Sequence, residues 1–392
     1  MQHIPSNAQT SPAQPLRGIT VVELCHSIAG PYAGAILAQL GANVIKIEVP
    51  GKGDDARYWG PPDPSGTSAI FKAMNRDKKG VTLDLKNPED RDALCSFITN
   101  EADVVIQNMR PGTAAKLGLG AGELCAAKPS LIYCNLGAYG AVGPLNNHPG
   151  YDPLMQAQGG IMSVTGDGAE PARAGVSLVD QGAGMWAVIG IQAALHELSL
   201  TGRGCVVDTS LFETSLAWMS VHITGYLAYG ELRRPMGSGI YEIVPHQSFV
   251  TSDGHVMVAA GNDSLFRKLT KALGVAGLAD DPRMRTNDQR VIHRAAVIDP
   301  LSDVFRREPT AHWIALLETA GIPAAPLQTV DQVIADAQTR ALAMIQNAPG
   351  SATQVVGLPL SFNGERAPNR LAAPQLGEHN ALLDNYRGVT TQ

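Results

Sequence analysis

The chain has 392 residues, 44% of them hydrophobic, enough to bury a full core and to form two domains. Its formal net charge of -6 argues against a nucleic-acid partner, since phosphate binding needs a basic surface. Its 5 cysteines, Cys25, Cys95, Cys125, Cys134 and Cys205, form no C-x-x-C pair and no metal-ligand spacing, so free core thiols in a reducing cytosol are expected, Cys134 and Cys205 especially.

Residues 1–16 are polar, rich in Gln, Pro and Ser, and lack the apolar stretch of a signal sequence; they read as a mobile tail. No run reaches the roughly 18 apolar residues of a membrane span, so a soluble cytoplasmic protein is expected. Ile19–Leu24 then reads as a strand, Pro31–Leu40 as a helix with proline in its first position, and Asn43–Glu48 as a second strand, together a βαβ unit. Val81–Leu85, Val104–Gln107 and Leu131–Asn135 add three strands, with 88–101 and 111–128 helical between them. The expected class is α/β, with a Rossmann-like large domain over 17–220. Ligands in such sheets bind beyond the carboxyl ends of the strands, here the loops opening with Cys25, Glu48, Lys86, Asn108 and Leu136. The first loop, Cys25-His-Ser-Ile-Ala-Gly-Pro31, lacks G-x-G-x-x-G, which speaks against a dinucleotide-dependent dehydrogenase and leaves Glu48 as a solvated strand end.

The run Ala174–Gly204, AGVSLVDQGAGMWAVIGIQAALHELSLTGRG, places one carboxylate, Asp180, between an apolar strand end over 174–179 and a helix apolar on nearly every face from Met185 to Leu195. Asp180 reads as the N-cap of that helix, a role compatible with a nucleophilic one: a carboxylate there stays ionised and oriented, and Gly182 and Gly184 let a bulky electrophile approach. Further along, the Gly- and Pro-rich text from Tyr229 to Pro245 marks the start of a smaller α/β domain over 225–330. It contains FVTSDGHVMVAA with a turn at Asp253-Gly254 and the helices Ser264–Leu273 and Ala311–Ala320. The segment 340–392 returns to the large domain, because its apolar run Val355–Leu360 needs a partner face.

The segments GITVVELCHSIAGPYAGAILAQLGANVIKIEVPGKGDDAR (18–57), MNRDKKGVTLDLKNPED (74–90), ADVVIQNMRPGTAAKLGLG (102–120), PGYDPLMQAQGG (149–160), LVDQGAGM (178–185), TGRGCVVDTSLFE (201–213) and LGEH (376–379) follow one another in an order that resembles the class III CoA-transferases, the formyl-CoA transferase or CaiB/BaiF-like family. The resemblance implies an acyl-CoA:carboxylate CoA-transferase with Asp180 as nucleophile, coenzyme A as substrate and no permanently bound cofactor. It also implies an interlocked homodimer in which each chain passes from large domain to small domain and back. Coenzyme A contacts are implied for Ile28, Ala29, Leu83, Lys86, Asn108, Met109, Arg110, Lys116, Gly137, Tyr139 and Gly140. Ile28 stands where the family has glutamine, Lys116 where it has arginine, and Gly137 where it has lysine. Arg57 is a further candidate anchor. Gly237, Ser238 and Gly239 correspond to a glycine-rich loop that covers the family's aspartate, shortened here. Oxyanion donors are sought near Gly182–Gly184 or Gly237–Gly239.

The α-methylacyl-CoA racemases share the fold and the aspartate, but where they carry a proton-relay histidine and glutamate this chain has Tyr151 and Asn262, poor acid–base groups at neutral pH. A non-catalytic CoA-binding protein would not need Asp180. The wording GDDARYWGPP and VPHQSFVTSDG resembles transferases of succinyl-type dicarboxylates, pointing to succinyl-CoA as donor and a dicarboxylic acid as acceptor.

Overall fold

The structure is a computed structural model that describes residues 14–61, 66–168 and 170–387. The tail expected over 1–16 therefore lies outside the described residues except for its end, where Leu16 is buried and donates its N–H to Leu40 O at 3.0 Å. The chain divides into two compact units, the first comprising Met1–Gly160, Gly175–Ser220 and Ala337–Gln392, the second Ile161–Ala174 and Val221–Asp336.

The first unit is built on six strands: β1 (Thr20–Leu24), β2 (Asn43–Glu48), β3 (Lys78–Thr82), β4 (Val104–Gln107), β5 (Ile132–Gly137) and β6 (Val206–Ser210). All pair in parallel, in the order β3-β2-β1-β4-β5-β6. Parallel strands need crossovers that cover both faces, which is why β1, β2 and β4 read as near-continuous apolar runs. One face packs Val22, Ile45, Val81 and Val105 against Leu94, Phe97 and Ile98 of the helix Pro88–Glu101. The order reverses at β1, which lies between β2 and β4, and a crevice at such a switch point is where ligands enter.

Three readings of the sequence change here. The third strand begins at Lys78, three residues before the expected Val81, because Lys78 is not a solvent charge: it is fully buried and ion-paired with Glu23 of β1 at 2.7 Å. Glu48 is likewise buried rather than solvated, bonded by Arg57 through Nε at 2.8 Å and through a terminal nitrogen at 2.7 Å. Of the two thiols assigned to the core, Cys134 is buried and Cys205 is exposed.

Helix α1 (Ala29–Gln39) follows β1, and α2 (Leu178–Thr201) precedes β6. They meet where small residues permit it: a Cβ on Gly184 would lie 2.7 Å from Ala29 O and 3.1 Å from the Tyr32 ring. The second unit carries its own antiparallel sheet of β7 (His246–Val250), β8 (His255–Ala259) and β9 (Ala324–Pro326), with β7 and β8 joined by the turn at Asp253-Gly254. Phe249 stacks on Phe305 at 4.7 Å in a core shared with Phe266 and Trp313.

Candidate active site

Asp180 is not the N-cap of its helix. Ser177 holds that position and makes no side-chain cap, while Asp180 sits in the first turn of α2. The capping carboxylate comes from elsewhere in sequence. Asp152, 2% exposed at the start of the helix Asp152–Gln158, accepts the N–H of Val179 at 2.8 Å and of Asp180 at 3.3 Å through Oδ1, and its Oδ2 accepts from Gln156 Nε2 at 2.7 Å. Two orphan amides of α2 are thereby satisfied, which frees the Asp180 side chain from any capping duty.

The strand end expected over 174–179 is absent, the chain entering the helix through a turn. The expectation that Asp180 stays ionised because of the helix terminus also changes. Burial, and secondarily the negative charge of Asp152, push its carboxyl from the ordinary value of 3.8 up to about 7. A carboxylate poorly solvated by water is a stronger nucleophile once ionised.

Gly182 and Gly184 serve packing rather than substrate access. A Cβ on Gly182 would sit 2.8 Å from Trp218 Nε1 and 2.9 Å from the Thr214 methyl, and Gly184 touches α1 as described. Both lie inside the helix, so their N–H groups belong to its ladder and are unsuited to stabilise an oxyanion. Donors exist on the facing loop instead. Asp180 lines a cavity of about 120 Å³ together with Ser27, Ala29, Asn108, Gly137 and Tyr151. Ala29 and Gly30 begin α1, whose N-cap residue Ile28 offers no side-chain cap, and among the described residues neither donates its N–H to the protein. Gly30 is held against Cys25, where a Cβ would collide with the thiol.

Beside this cavity opens a larger cleft of about 760 Å³, sharing His26 and Met109 with it and lined further by Leu83, Lys86, Lys52 and Asp84. The structure thus brings Ala29, Asn108, Met109, Arg110 and Gly137 to the smaller cavity with Asp180, and Leu83, Lys86 and Met109 to the larger cleft. Gly137 and Gly140 also line a third hollow of about 190 Å³. Ile28 is the N-cap of α1. Lys116 is exposed at the end of a four-residue helix and lines none of these three spaces. Tyr139 lines none of these three spaces either; its hydroxyl donates to Gln158 Oε1 at 2.8 Å and its ring lies against Phe212.

The amide of Asn108 clamps the first loop, accepting from His26 N at 3.1 Å and donating to His26 O at 2.9 Å. Arg57 is no free phosphate anchor: it is 5% exposed, engaged with Glu48, and lies 3.8 Å over the Phe71 ring. Sequence reasoning missed Asp152, Lys52 and Asp54. The first was visible in the segment PGYDPLMQAQGG, but a cap supplied across 28 positions leaves no local signature.

In the second unit, Gly237 donates its N–H to Gly166 O at 2.8 Å and Gly239 to Met236 O at 3.0 Å, so these two amides are occupied within the unit and are not available as oxyanion donors. Ser238 Oγ lies 2.7 Å from Ser248 Oγ and accepts from Ser248 N at 2.9 Å. Asn262 caps the helix Asp263–Ala272, its side chain accepting from Leu265 N at 2.8 Å. An amide in that role offers no proton to relay, in keeping with the case against racemisation.

Residues 16–380 match the model of CoA-transferase family III. The chain is 34% identical to a succinyl-CoA:glutarate CoA-transferase of Mus musculus, covering 93% of this chain and 85% of that one. It is 35% identical to a succinate–glutarate CoA-transferase of Agrobacterium fabrum, covering 94% of each. It is also 35% identical to an acetyl-CoA:oxalate CoA-transferase of Acetobacter aceti, covering 96% of this chain and 97% of that one. Among solved structures, a CAIB/BAIF family protein from Brucella suis is 38% identical and superposes with a TM-score of 0.86 over 95% of this chain and 98% of its own.

Proposed function

We infer the reaction from membership: the chain belongs to CoA-transferase family III, and it is an enzyme that moves coenzyme A between an acyl-CoA and a carboxylic acid. The proposed route runs through Asp180. Its carboxylate oxygen attacks the donor thioester carbonyl, the C–S bond breaks, and CoA thiolate leaves behind a mixed anhydride. The thiolate attacks the aspartyl carbonyl of that anhydride, expelling the donor acid as carboxylate and leaving an aspartyl-CoA thioester. The acceptor carboxylate then displaces the thiolate, and the thiolate takes the acceptor acyl group, restoring Asp180. Each step exchanges one anionic nucleophile for one anionic leaving group, so no proton relay is required.

The observation that carries this reading is the placement of Asp180, a half-buried carboxylate with no capping task, in the cavity that also holds Ala29 at the open end of α1. The amide of Ala29 is the proposed donor to the developing oxyanion. The adjoining cleft, with Lys86 and Lys52 at its walls, suits the phosphates and adenine of coenzyme A. The donor is proposed to be succinyl-CoA and the acceptor a dicarboxylic acid, following the relatives named for glutarate. Five free thiols suit a reducing, cytoplasmic setting.

Assembly as an interlocked homodimer is part of the proposal. It rests on apolar surface that one chain leaves uncovered. The helix Ser220–Tyr229 has no buried residue and shows Val221, Leu227 and Tyr229 at 76–78% exposure. On α2, apolar on nearly every face, Met185, Trp186 and Ile189 remain exposed. Apolar faces of this kind are commonly covered by a partner.

Mass spectrometry of the purified protein with succinyl-CoA and a panel of carboxylic acids tests the substrate assignment. New acyl-CoA masses are expected with C4–C6 dicarboxylates; transfer confined to monocarboxylates would overturn that assignment, and no transfer from any acyl-CoA would overturn the reaction class.

A further inference from the structure

The loop that presents Ala29 and Gly30 is gripped from below by side chains of four different segments. Lys46 Nζ on β2 donates to Cys25 O at 2.8 Å, Asn108 brackets His26, and Lys78 Nζ on β3 donates to Pro31 O at 2.8 Å. Asp54 accepts the N–H of Ser27 at 3.0 Å through Oδ1, which also accepts from Ala56 N at 2.9 Å. Ser27 is the strained member, a non-glycine residue at φ 71°, a conformation that L side chains adopt at a cost and that surrounding bonds must enforce.

The grips are themselves tied together by charge. Lys46 Nζ lies 2.9 Å from Asp54 Oδ2 and 3.1 Å from Glu23 Oε1, and Glu23 Oε2 lies 2.7 Å from Lys78 Nζ, with none of the four side chains more than 1% exposed. Asp54 N is in turn held by Glu48 Oε1 at 2.9 Å. Buried ion pairs of this kind add little net stability over an apolar replacement, so a network of four charges under one short loop calls for another account. Its geometry supplies one: every bond it sends upward ends on a backbone group of the loop.

We propose that Asp54 is a positioning residue of the transfer reaction, holding Ser27 in its left-handed conformation so that the amide of Ala29, two residues on, stays unpaired and directed into the cavity lined by Asp180. This rests on the reaction proposed above. Asp54 touches no substrate and acts only through Ser27. Removing it lets the loop relax toward an ordinary backbone conformation and withdraws the donor from the oxyanion, a loss that appears in the chemical step rather than in binding at the larger cleft.

The test is the rate of aspartyl acylation in a single turnover with succinyl-CoA, trapped by hydroxylamine and read on the peptide containing Asp180. Asp54→Ala is expected to lower the rate constant about 100-fold, the size of effect seen when an oxyanion donor is lost. Asp54→Asn, which keeps an oxygen for Ser27 N–H and loses the charge, is expected to recover much of it. The affinity for free coenzyme A should stay within about 3-fold in both. A purely structural role lowers the amplitude, the fraction of competent enzyme, and leaves the rate constant alone; that result, or an Asp54→Ala variant acylating at the wild-type rate, overturns the proposal. If Asp54→Ala does not fold, Ser27→Val tests the same link, because a β-branched residue resists φ 71°: a wild-type rate constant contradicts the proposal and a slowed one supports it. Failure of the wild-type enzyme itself to form the adduct counts against the aspartyl route, separately from Asp54.

Discussion

Asp152 Oδ1 stands 3.3 Å from the backbone nitrogen of Asp180, so one carboxylate caps the helix that carries the other. The arrangement sets two opposing influences on Asp180. The cap orders its backbone, while the like charge, added to burial, raises its pKa to about 7.

The acid limb of activity should report this. Asp180 must be ionised to attack, so acylation is expected to fall as pH drops through about 7. Asp152→Asn keeps an oxygen for the two amides and removes the like charge; the midpoint of the limb should move to lower pH, by less than the whole shift because burial is the larger cause. A midpoint unmoved or raised would show that Asp152 does not act on Asp180 electrostatically.

Stability should carry the same signature with the opposite pH preference. A carboxyl whose folded pKa lies above its unfolded value binds a proton more tightly when folded, so its contribution is favourable at low pH and is lost as pH rises from about 3.8 to about 7. Asp180→Asn is therefore expected to raise the melting temperature relative to wild type at pH 8 and to have little effect near pH 4. Thermal unfolding at both values checks it, and a variant less stable at pH 8 would contradict the assignment of a strained, desolvated carboxylate.

Two cations that look alike in sequence should behave differently. Lys86 is exposed on the wall of the larger cleft, and Lys86→Ala is expected to raise KM for acyl-CoA about 10-fold, with a shallower salt dependence and unchanged melting. Arg57→Ala leaves Glu48 buried without its partner and should cost about 3–5 kcal/mol of stability. Kinetics and denaturant unfolding of both variants separate the roles; a stable Arg57→Ala enzyme with altered KM would restore it as an anchor.

Gly184→Ala tests the helix crossing. Its methyl group would press on Ala29 O, a backbone atom with little freedom, and an overpacked contact of this kind costs about 1–3 kcal/mol. Because Ala29 is the atom displaced, the acylation rate should fall together with stability. A neutral substitution would mean that α1 and α2 approach less closely than described.

Much of the large sheet was legible because its strands are rich in Val and Ile: Asn43–Glu48, despite its buried Lys46, and Val104–Gln107 fall where composition and flanking turns put them. The third strand was misplaced for the opposite reason. Its first residues are Lys78 and Lys79, and burial of Lys78 is made tolerable by partners that no strand pattern shows, the charge of Glu23 55 positions earlier with Pro31 O and Asn75 Oδ1. Asp180 could be singled out from the glycines and the apolar helix around it, yet the job given to those glycines was wrong, since contacts with Trp218 and Ala29 are tertiary facts. Asp152, Asp54 and the buried partnership of Glu48 with Arg57 were hidden for the same reason, each being defined by a partner distant in the fold rather than by a motif.

Transfer by this route passes through a covalent intermediate at Asp180, and trapping it is the most direct measurement. The enzyme incubated with succinyl-CoA and then hydroxylamine, digested and analysed by mass spectrometry, should carry a hydroxamate on the peptide containing Asp180, and Asp180→Ala should lose both adduct and transfer while binding coenzyme A within several-fold of wild type. An adduct on a cysteine such as the exposed Cys205, or none on any residue during measured turnover, would contradict it.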